Sequence, residues 1–516
     1  MKVRLGFLTE WFIFTWIMVF FSSIQVYSFT LHDFKVNPDN GEVIPHYNSG
    51  IAFDRSGNFV VVWCDRGSEH NNRQIYFQRF DSFGIHIDNP VLVSDTNILI
   101  NHSPAMAMSP TGFFVITWGT AIQSGKGYIQ DIWIQRFDSL GQSKWSRQQV
   151  DIDRIDPESD DSHPDVAIDY EGNVIVVWQT EDPTGRNIFA QRYNASGERV
   201  GDNFLISDSS ASNHLLCPWF TQFPHVAFNP RGYFFICWTG CVMCKPASPI
   251  CPLARIYRPS GEPKTLVFPF FAPCSCMWDY GSSPDVISNG NSEFVVTFSA
   301  NDTFWTYPNN GIMVQTFDTS GNSLNSARVV NNVKDLGNIW HASRIAVDNS
   351  DGYVVLWCDW RTGNDCNLWA QRFLSSDEPR GENYRINIPP GSISSPSGEY
   401  ADWYMYNIAI HQNTVGVSWV DYRNWEVFDT DVYAKLLDLN SIGLYLPGDV
   451  VLDGVVDTVD LIYIVNYLFK SGWAILPEWT GDVNASGEVT ISDIVYLVNF
   501  LYKSGPPPQK PTAASE

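Results

Sequence analysis

Ile51-Ala-Phe-Asp54-Arg-Ser-Gly57-Asn-Phe-Val-Val-Val-Trp63, followed by Ile75-Tyr-Phe-Gln78-Arg79-Phe-Asp81-Ser-Phe-Gly84, is the clearest copy of a motif written seven times along the chain. The aromatic that ends its β-branched run recurs as Trp63, Trp118, Trp178, Trp238, Phe298, Trp357 and Trp419, in steps of 55, 60, 60, 60, 59 and 62 residues. A near-constant period marks an array of one supersecondary unit. Each unit reads as four strands: a short first strand such as Val166-Ala-Ile-Asp169, the run Asn173–Trp178, then Ile188–Tyr193, and a fourth strand such as Asn203-Phe-Leu-Ile-Ser207. Turns of the form Asp/Asn-x-x-Gly join them (Asp81–Gly84, Asp138–Gly141, Asn194–Gly197, Asp318–Gly321). The expected fold is all-β, a seven-bladed β-propeller spanning residues 29–446. A row of β-sandwiches is disfavoured, because sandwich domains run near 100 residues and these units near 60.

The two ends of the array complement each other. The seventh unit stops after its third strand, Asp431–Leu437, whereas Leu31-His-Asp-Phe-Lys-Val36 precedes the first unit. If that segment supplies the missing strand, the ring is clasped by its own termini and exposed sheet edges disappear. The repeating aromatic is expected to pack between blades. The Gln-Arg pair at Gln78-Arg79, Gln135-Arg136, Gln191-Arg192 and Gln371-Arg372 is expected to make a repeated polar contact there. Asp65, Asp182, Asp359 and Asp421 open the loops after the second strand. They would either converge on a polar ligand such as a sugar or pair locally with Arg, as in Asp359-Trp-Arg361 and Asp421-Tyr-Arg423; local pairing is favoured.

Beyond the repeats lie two twelve-residue loops, 33 residues apart. The first presents Asp449, Asp453, Val455, Asp457 and Asp460; the second presents Asp482, Asn484, Ser486, Glu488, Thr490 and Asp493. Oxygen side chains fall at positions 1, 5, 9 and 12 of both, with Gly454 and Gly487 at position 6. A hard cation such as Ca2+ takes six to eight oxygens from such a loop, and Gly at position 6 permits its sharp turn. An apolar stripe follows each loop (Leu461, Ile464, Val465, Leu468; Ile494, Leu497, Val498, Leu501), spaced as one buried helix face. Val451 at position 3 removes a ligand from the first loop, and Ser486 removes a charge from the second. The two Ca2+ sites are therefore expected to be unequal.

This duplicated loop-helix unit, residues 447–507, resembles a type I dockerin. The resemblance implies a small α-helical Ca2+-binding domain that docks onto a cohesin-like partner, with Thr458-Val459 and Ile491-Ser492 helping to select it. Coming after a closed ring, it reads as an attachment module in its own right, and residues 508–516 as a disordered tail. The repeats resemble propellers of secreted bacterial proteins. A sialidase-type Ser-x-Asp-x-Gly-x-x-x-Trp box is not repeated, since Asp54-Arg-Ser-Gly57 matches only part of it.

Lys2 and Arg4 precede an apolar run from Trp11 to Phe21, so residues 1–28 are expected to be a signal peptide and the protein secreted. A formal net charge of −24 with no basic stripe argues against nucleic acid. Seven of the ten cysteines lie between Cys217 and Cys276. Disulfides are the default for an exported chain, while Cys241-Val-Met-Cys244 and Cys274-Ser-Cys276 leave zinc open. Cys358 and Cys366 are expected to bridge a hairpin. The cysteine-rich stretch 239–276 is expected to replace the third strand of the fourth unit.

No catalytic motif is apparent. A glycosidase needs two carboxylates about 5–10 Å apart, and nothing in the spacing nominates a pair. The expected function is a secreted binding or scaffolding propeller with a Ca2+-dependent docking module, meeting a glycan or protein on its propeller face. The alternative is an extracellular glycoside hydrolase recruited through that module.

Overall fold

The computed structural model describes residues 33–510 except 39–45, 66–72, 96–99, 125–126, 153–158, 184, 209–215, 243–249, 271–282, 301–310, 333–342, 360, 362–365, 388–392, 394–404, 424–429, 453–455, 471, 473–474 and 476. Residues 1–28 and 511–516, with the signal peptide and most of the expected disordered tail, lie outside these, as do Asp453 and Val455.

Seven antiparallel four-stranded sheets form the seven blades. In the third blade the strands are Asp160–Ile168, Val174–Asp182, Gly185–Tyr193 and Phe204–Leu205, in sequence order. The second strand of each blade is β-branched and buried on both faces, because neighbouring blades cover both sides of it. Its terminal aromatic sits in that sandwich: Trp63, Trp118, Trp178, Trp238, Phe298, Trp357 and Trp419 are all fully buried. The fourth blade differs from expectation. Its third strand, Ile250–Tyr257, does form and pairs with Phe234–Val242, since Leu253, Ala254 and Ile256 still fill the interblade space.

The Gln-Arg pair divides its work. Gln191 Nε2 donates to the Arg192 and Gly201 carbonyls of its own blade, and Gln371 repeats the pattern with Arg372 and Arg380. The arginine reaches forward to the closing turn of the next blade: Arg79 to Leu140 O, Arg136 to Ala195 O, Arg192 to Pro259 O, and Arg372 to Leu439 O. In the fourth blade, Ile256 holds the arginine's register and Lys264 Nζ supplies the forward contact, to Thr319.

Ring closure uses the N-terminal segment. Phe34–Lys35 pairs antiparallel with Asp431–Asp438 and completes the seventh sheet as its outer strand. Asn37 exchanges hydrogen bonds with Asp431 and the Val432 backbone, and Lys35 pairs with Asp431 at 2.8 Å.

The tail contains two helices, Thr458–Phe469 and Ile491–Lys503. Each starts with a capping box, Asp457 with Asp460 and Thr490 with Asp493. Residues at position 9 and 12 of each loop therefore also satisfy helix N-terminal N–H groups that have no intrahelical partner. The core is two-fold in sequence: Val450 with Val483, Val456 with Val489, and Ile464 with Leu497 occupy matching places. No helix among the described residues is long and apolar enough to cross a membrane.

The tail touches the propeller through its first loop. Leu452, at position 4 of the first loop with φ +58°, is buried in the core shared by blades six and seven. Its carbonyl accepts from Tyr384 Oη at 3.0 Å and from the fully buried Lys435 ammonium at 3.4 Å. Tyr445 stacks on Tyr384 and meets Trp479 edge-on. The first loop thus packs on the propeller, where its Leu452 carbonyl is one of the oxygen partners that the buried Lys435 takes. Leu452→Ala is expected to cost about 2–5 kcal/mol and to lower the melting of propeller and tail together, read by differential scanning calorimetry. An unchanged transition would show the contact to be unimportant.

Candidate functional site

The first strand of each blade lines the central channel, and antiparallel register decides which residue faces it. The residue just before the repeating aromatic pairs with one inner-strand position in every blade. Those partners are Gly50, Ala105, Asp165, His225, Asp285, Arg344 and Asn407. A structural repeat thus places small residues on blades one and two and polar or charged ones on blades three to seven. In the first six blades the ring position lies thirteen residues before the aromatic, and twelve in the seventh, whose first turn is shorter. That offset was available in the sequence; the spacing alone does not say which of several inner-strand residues faces the axis.

Bulges aim these side chains. Register shifts interrupt the inner strands of blades one to four. In blades two to four the residue before a proline (Ser103, His163, Phe223) takes a positive φ. Proline cannot donate to the ladder, so the strand bulges there and re-aims the next side chains along it.

A cavity of about 160 Å³ lies on the axis, lined among others by Asp165, His225, Asp285, Arg344, Tyr406 and Asn407. His225 Nδ1 lies 3.4 Å from Asp165 Oδ2 and 3.5 Å from Asp285 Oδ1. The facing carboxylate oxygens are therefore no more than about 7 Å apart, which does not exceed the span over which paired carboxylates cleave glycosides. Each is anchored to the following blade: Val226 N–H donates to Asp165 Oδ2 at 2.9 Å and Ile345 N–H to Asp285 Oδ2 at 3.1 Å. Burial pushes the Asp285 carboxyl above the ordinary aspartate value, and the Asp165 charge adds to this, while His225 and Arg344 oppose it. Burial also raises the Tyr406 phenol, which stays protonated. Cys237, the strand partner of His225, is a buried thiol pushed well up by desolvation and then by Asp285 and Asp165, so it is not nucleophilic.

The loop aspartates do different work. Asp359 is fully buried, accepts from Trp357 Nε1 at 2.8 Å and grips Arg361 at 2.6 Å, whose guanidinium covers Trp369. Asp421 repeats this with Trp419 and Arg423, which also reaches Asp33 on the closing segment. These are local corners, as the favoured expectation had it. Cys358 and Cys366 are disulfide-bonded beside the first of them. Cys251 is also disulfide-bonded, whereas Cys237 and Cys241 are thiols; the rest of the cysteine-rich stretch is largely outside the described residues.

In the second tail loop oxygens lie close to one another in pairs, although among the described residues no three or more His, Cys, Asp or Glu side chains are gathered as a metal site would gather them. Asp482 Oδ1 lies 3.3 Å from Ser486 Oγ, which lies 3.1 Å from the Glu488 carbonyl, and Thr490 Oγ1 lies 3.2 Å from Asp493 Oδ2. The Asp482 carboxylate also accepts from the Ser486 and Gly487 N–H groups, which folds it inward. Asn484 turns its amide to Ser492. This oxygen-only set fits Ca2+. In the first loop, Asp460 accepts from Val450, Val451 and Asp457 N–H, matching Asp493, and Asp449 is buried.

Asp359→Asn breaks a buried pair and should cost about 3–5 kcal/mol in stability, while ligand binding in the channel stays intact; binding lost without loss of stability would return the corner to the functional site. No protein-family model and no curated protein matches the chain. Among solved structures it is similar to the polysaccharide lyase Uly1, at 10% identity and TM-score 0.45 over 76% of this chain and 90% of that one. It is likewise similar to a Hadza microbial sialidase, Hz136, at 11% and 0.42 over 74% and 77%. The α-L-arabinanase of Penicillium chrysogenum matches at 11% and 0.41 over 80% and 99%.

Proposed function

We propose that the axial cavity is the active site of an extracellular glycoside hydrolase, and that the tail binds Ca2+ and docks the protein to a cohesin-like partner. The observation that carries the first part is the Asp165–His225–Asp285 constellation, one ring position on three successive blades. In this reading Asp285, whose buried setting favours its protonated form, gives its proton to the departing glycosidic oxygen. Asp165 takes a proton from the water that adds to the anomeric carbon as the C–O bond breaks. The proton then returns to Asp285, so water is divided between the two products. His225 holds the two carboxylates apart and oriented. General acid–base action of this kind supplies about 10²–10⁴-fold of rate.

Asp285→Asn and Asp165→Asn should each lower kcat by about 10²-fold or more, measured as reducing-sugar release, with folding checked by circular dichroism. Activity should persist to a pH above the ordinary aspartate range before falling as Asp285 loses its proton. That alkaline limb should vanish in residual Asp285→Asn activity. A wild-type protein that binds glycans but cleaves none would favour the competing reading, a non-catalytic binding or scaffolding propeller.

Support for the tail comes from the oxygen-only side chains of the second loop and the duplicated geometry of the first. Position 4 takes the left-handed conformation in both, at Leu452 and Ala485. In the full-length protein, Ca2+ should raise the thermal midpoint and chelation reverse it, with the two sites filling at different concentrations in calorimetric titration. The double change Asp460→Ala and Asp493→Ala should abolish the response. No heat of binding in the wild type would reject the assignment.

A further inference from the structure

We infer that the channel selects a sugar unit bearing a carboxylate, held on the wall formed by Arg344 and Asn407. This rests on the axial cavity being a sugar site and goes on to name the kind of sugar.

The cavity is electrically divided. Blades three and five contribute only acceptors in Asp165 and the ionised form of Asp285. Blades six and seven contribute donors. Arg344 offers donors only, one of which, Nη1, already goes to the Ser343 carbonyl at 3.4 Å, and the residue is 4% exposed. Asn407 has an amide of either sense, but its Oδ1 is committed to the Ile408 N–H at 2.7 Å. Its Nδ2 is thereby left as the channel-facing end, and lies 4.0 Å from where a Cβ on Gly50 would sit. The adjacent Tyr406 keeps its proton. In a seven-membered ring, blades six and seven stand across the axis from blade three, so this donor wall faces Asp165.

A neutral sugar offers hydroxyls that pair equally well with both walls, and gives no reason for the walls to differ in sign. A carboxylate matches the planar fork of Arg344 and accepts from Asn407 at the same time. Held there, the ring of an acidic sugar would turn its other side toward Asp165, with Asp285 beside it on the blade next to Arg344. Size agrees: about 160 Å³ is well below the roughly 300–1,000 Å³ of pockets for larger ligands, so a single unit enters rather than a chain segment. Ala105, with a minimal side chain, lines the cavity on blade two.

The test is isothermal titration of the full-length protein with D-glucuronate, D-galacturonate, D-glucose, D-galactose and acetate. At least one uronate should bind about tenfold or more tighter than its neutral counterpart, with acetate weak because it lacks the ring. Arg344→Gln should erase that preference, Arg344→Lys should restore part of it, and Asn407→Asp, which puts a negative charge on the donor wall, should weaken uronate binding with circular dichroism unchanged. Asp285→Asn should bind uronate at least as well as wild type. Equal affinity for uronate and neutral sugar in the wild type, or a preference that survives Arg344→Gln, overturns the inference. Uronate binding without any glycoside cleavage would sink the hydrolase and leave the acid-binding wall standing. Cleavage of neutral glycosides with no uronate preference would do the reverse.

Discussion

One constraint runs through the molecule: each blade must present the same buried aromatic at the end of its second strand to the blade beside it. Because that strand is the register template for the inner strand, fixing the aromatic also fixes which residue reaches the axis. The tryptophans make no chemistry of their own. They set a coordinate system in which Asp165, His225, Asp285, Arg344 and Asn407 share one level around the channel. A shift of one residue in any blade would turn its ring residue into the blade interior.

Much of this was legible in the sequence for a simple reason. Interblade packing repeats in every unit, so its signals (the aromatic, the Gln-Arg pair, the Asp-x-x-Gly turn) repeat too and reinforce one another. Phe298 keeps the volume that packs between blades; the indole N–H is used at Trp357 and Trp419, where it reaches Asp359 and Asp421. The closing strand was readable because a missing fourth strand at one end met a surplus strand at the other. The channel was not readable by the same route. Its residues occupy one position yet differ in every blade, and such variation looks like noise until register aligns it. The fourth blade misled for a related reason: Ile250–Tyr257 packs normally, but the cysteines around it mask the alternation of Leu253, Ala254 and Ile256.

The tail shows how one residue type can serve two demands. Asp457, Asp460, Thr490 and Asp493 carry oxygen where a helix beginning there needs caps, and the proposed cation loops would use the same atoms. Spacing could identify the loops, yet it gave no hint that Leu452 would be drawn into the propeller, since nothing local to the loop calls for it. The cause lies seventeen residues upstream, at Lys435, where the third strand of the last blade carries an amine at the register where every other blade but the fourth, with Arg255, carries glutamine. An ammonium there must find oxygen atoms, and it finds them at Ile386 and Leu452.

The closing strand has a consequence for how the chain reaches this form. Phe34 pairs with Ala434, and Asn37 with Asp431, across nearly the whole propeller. Blades one to six can assemble in order as they leave the ribosome, each against its predecessor. The seventh sheet cannot, because its outer strand was synthesised first and must wait for its partner. Contacts of such long sequence separation form slowly. Until then, the first and last sheets each keep an unsealed flank, and the ring is most exposed to mispairing with another copy just before it is finished.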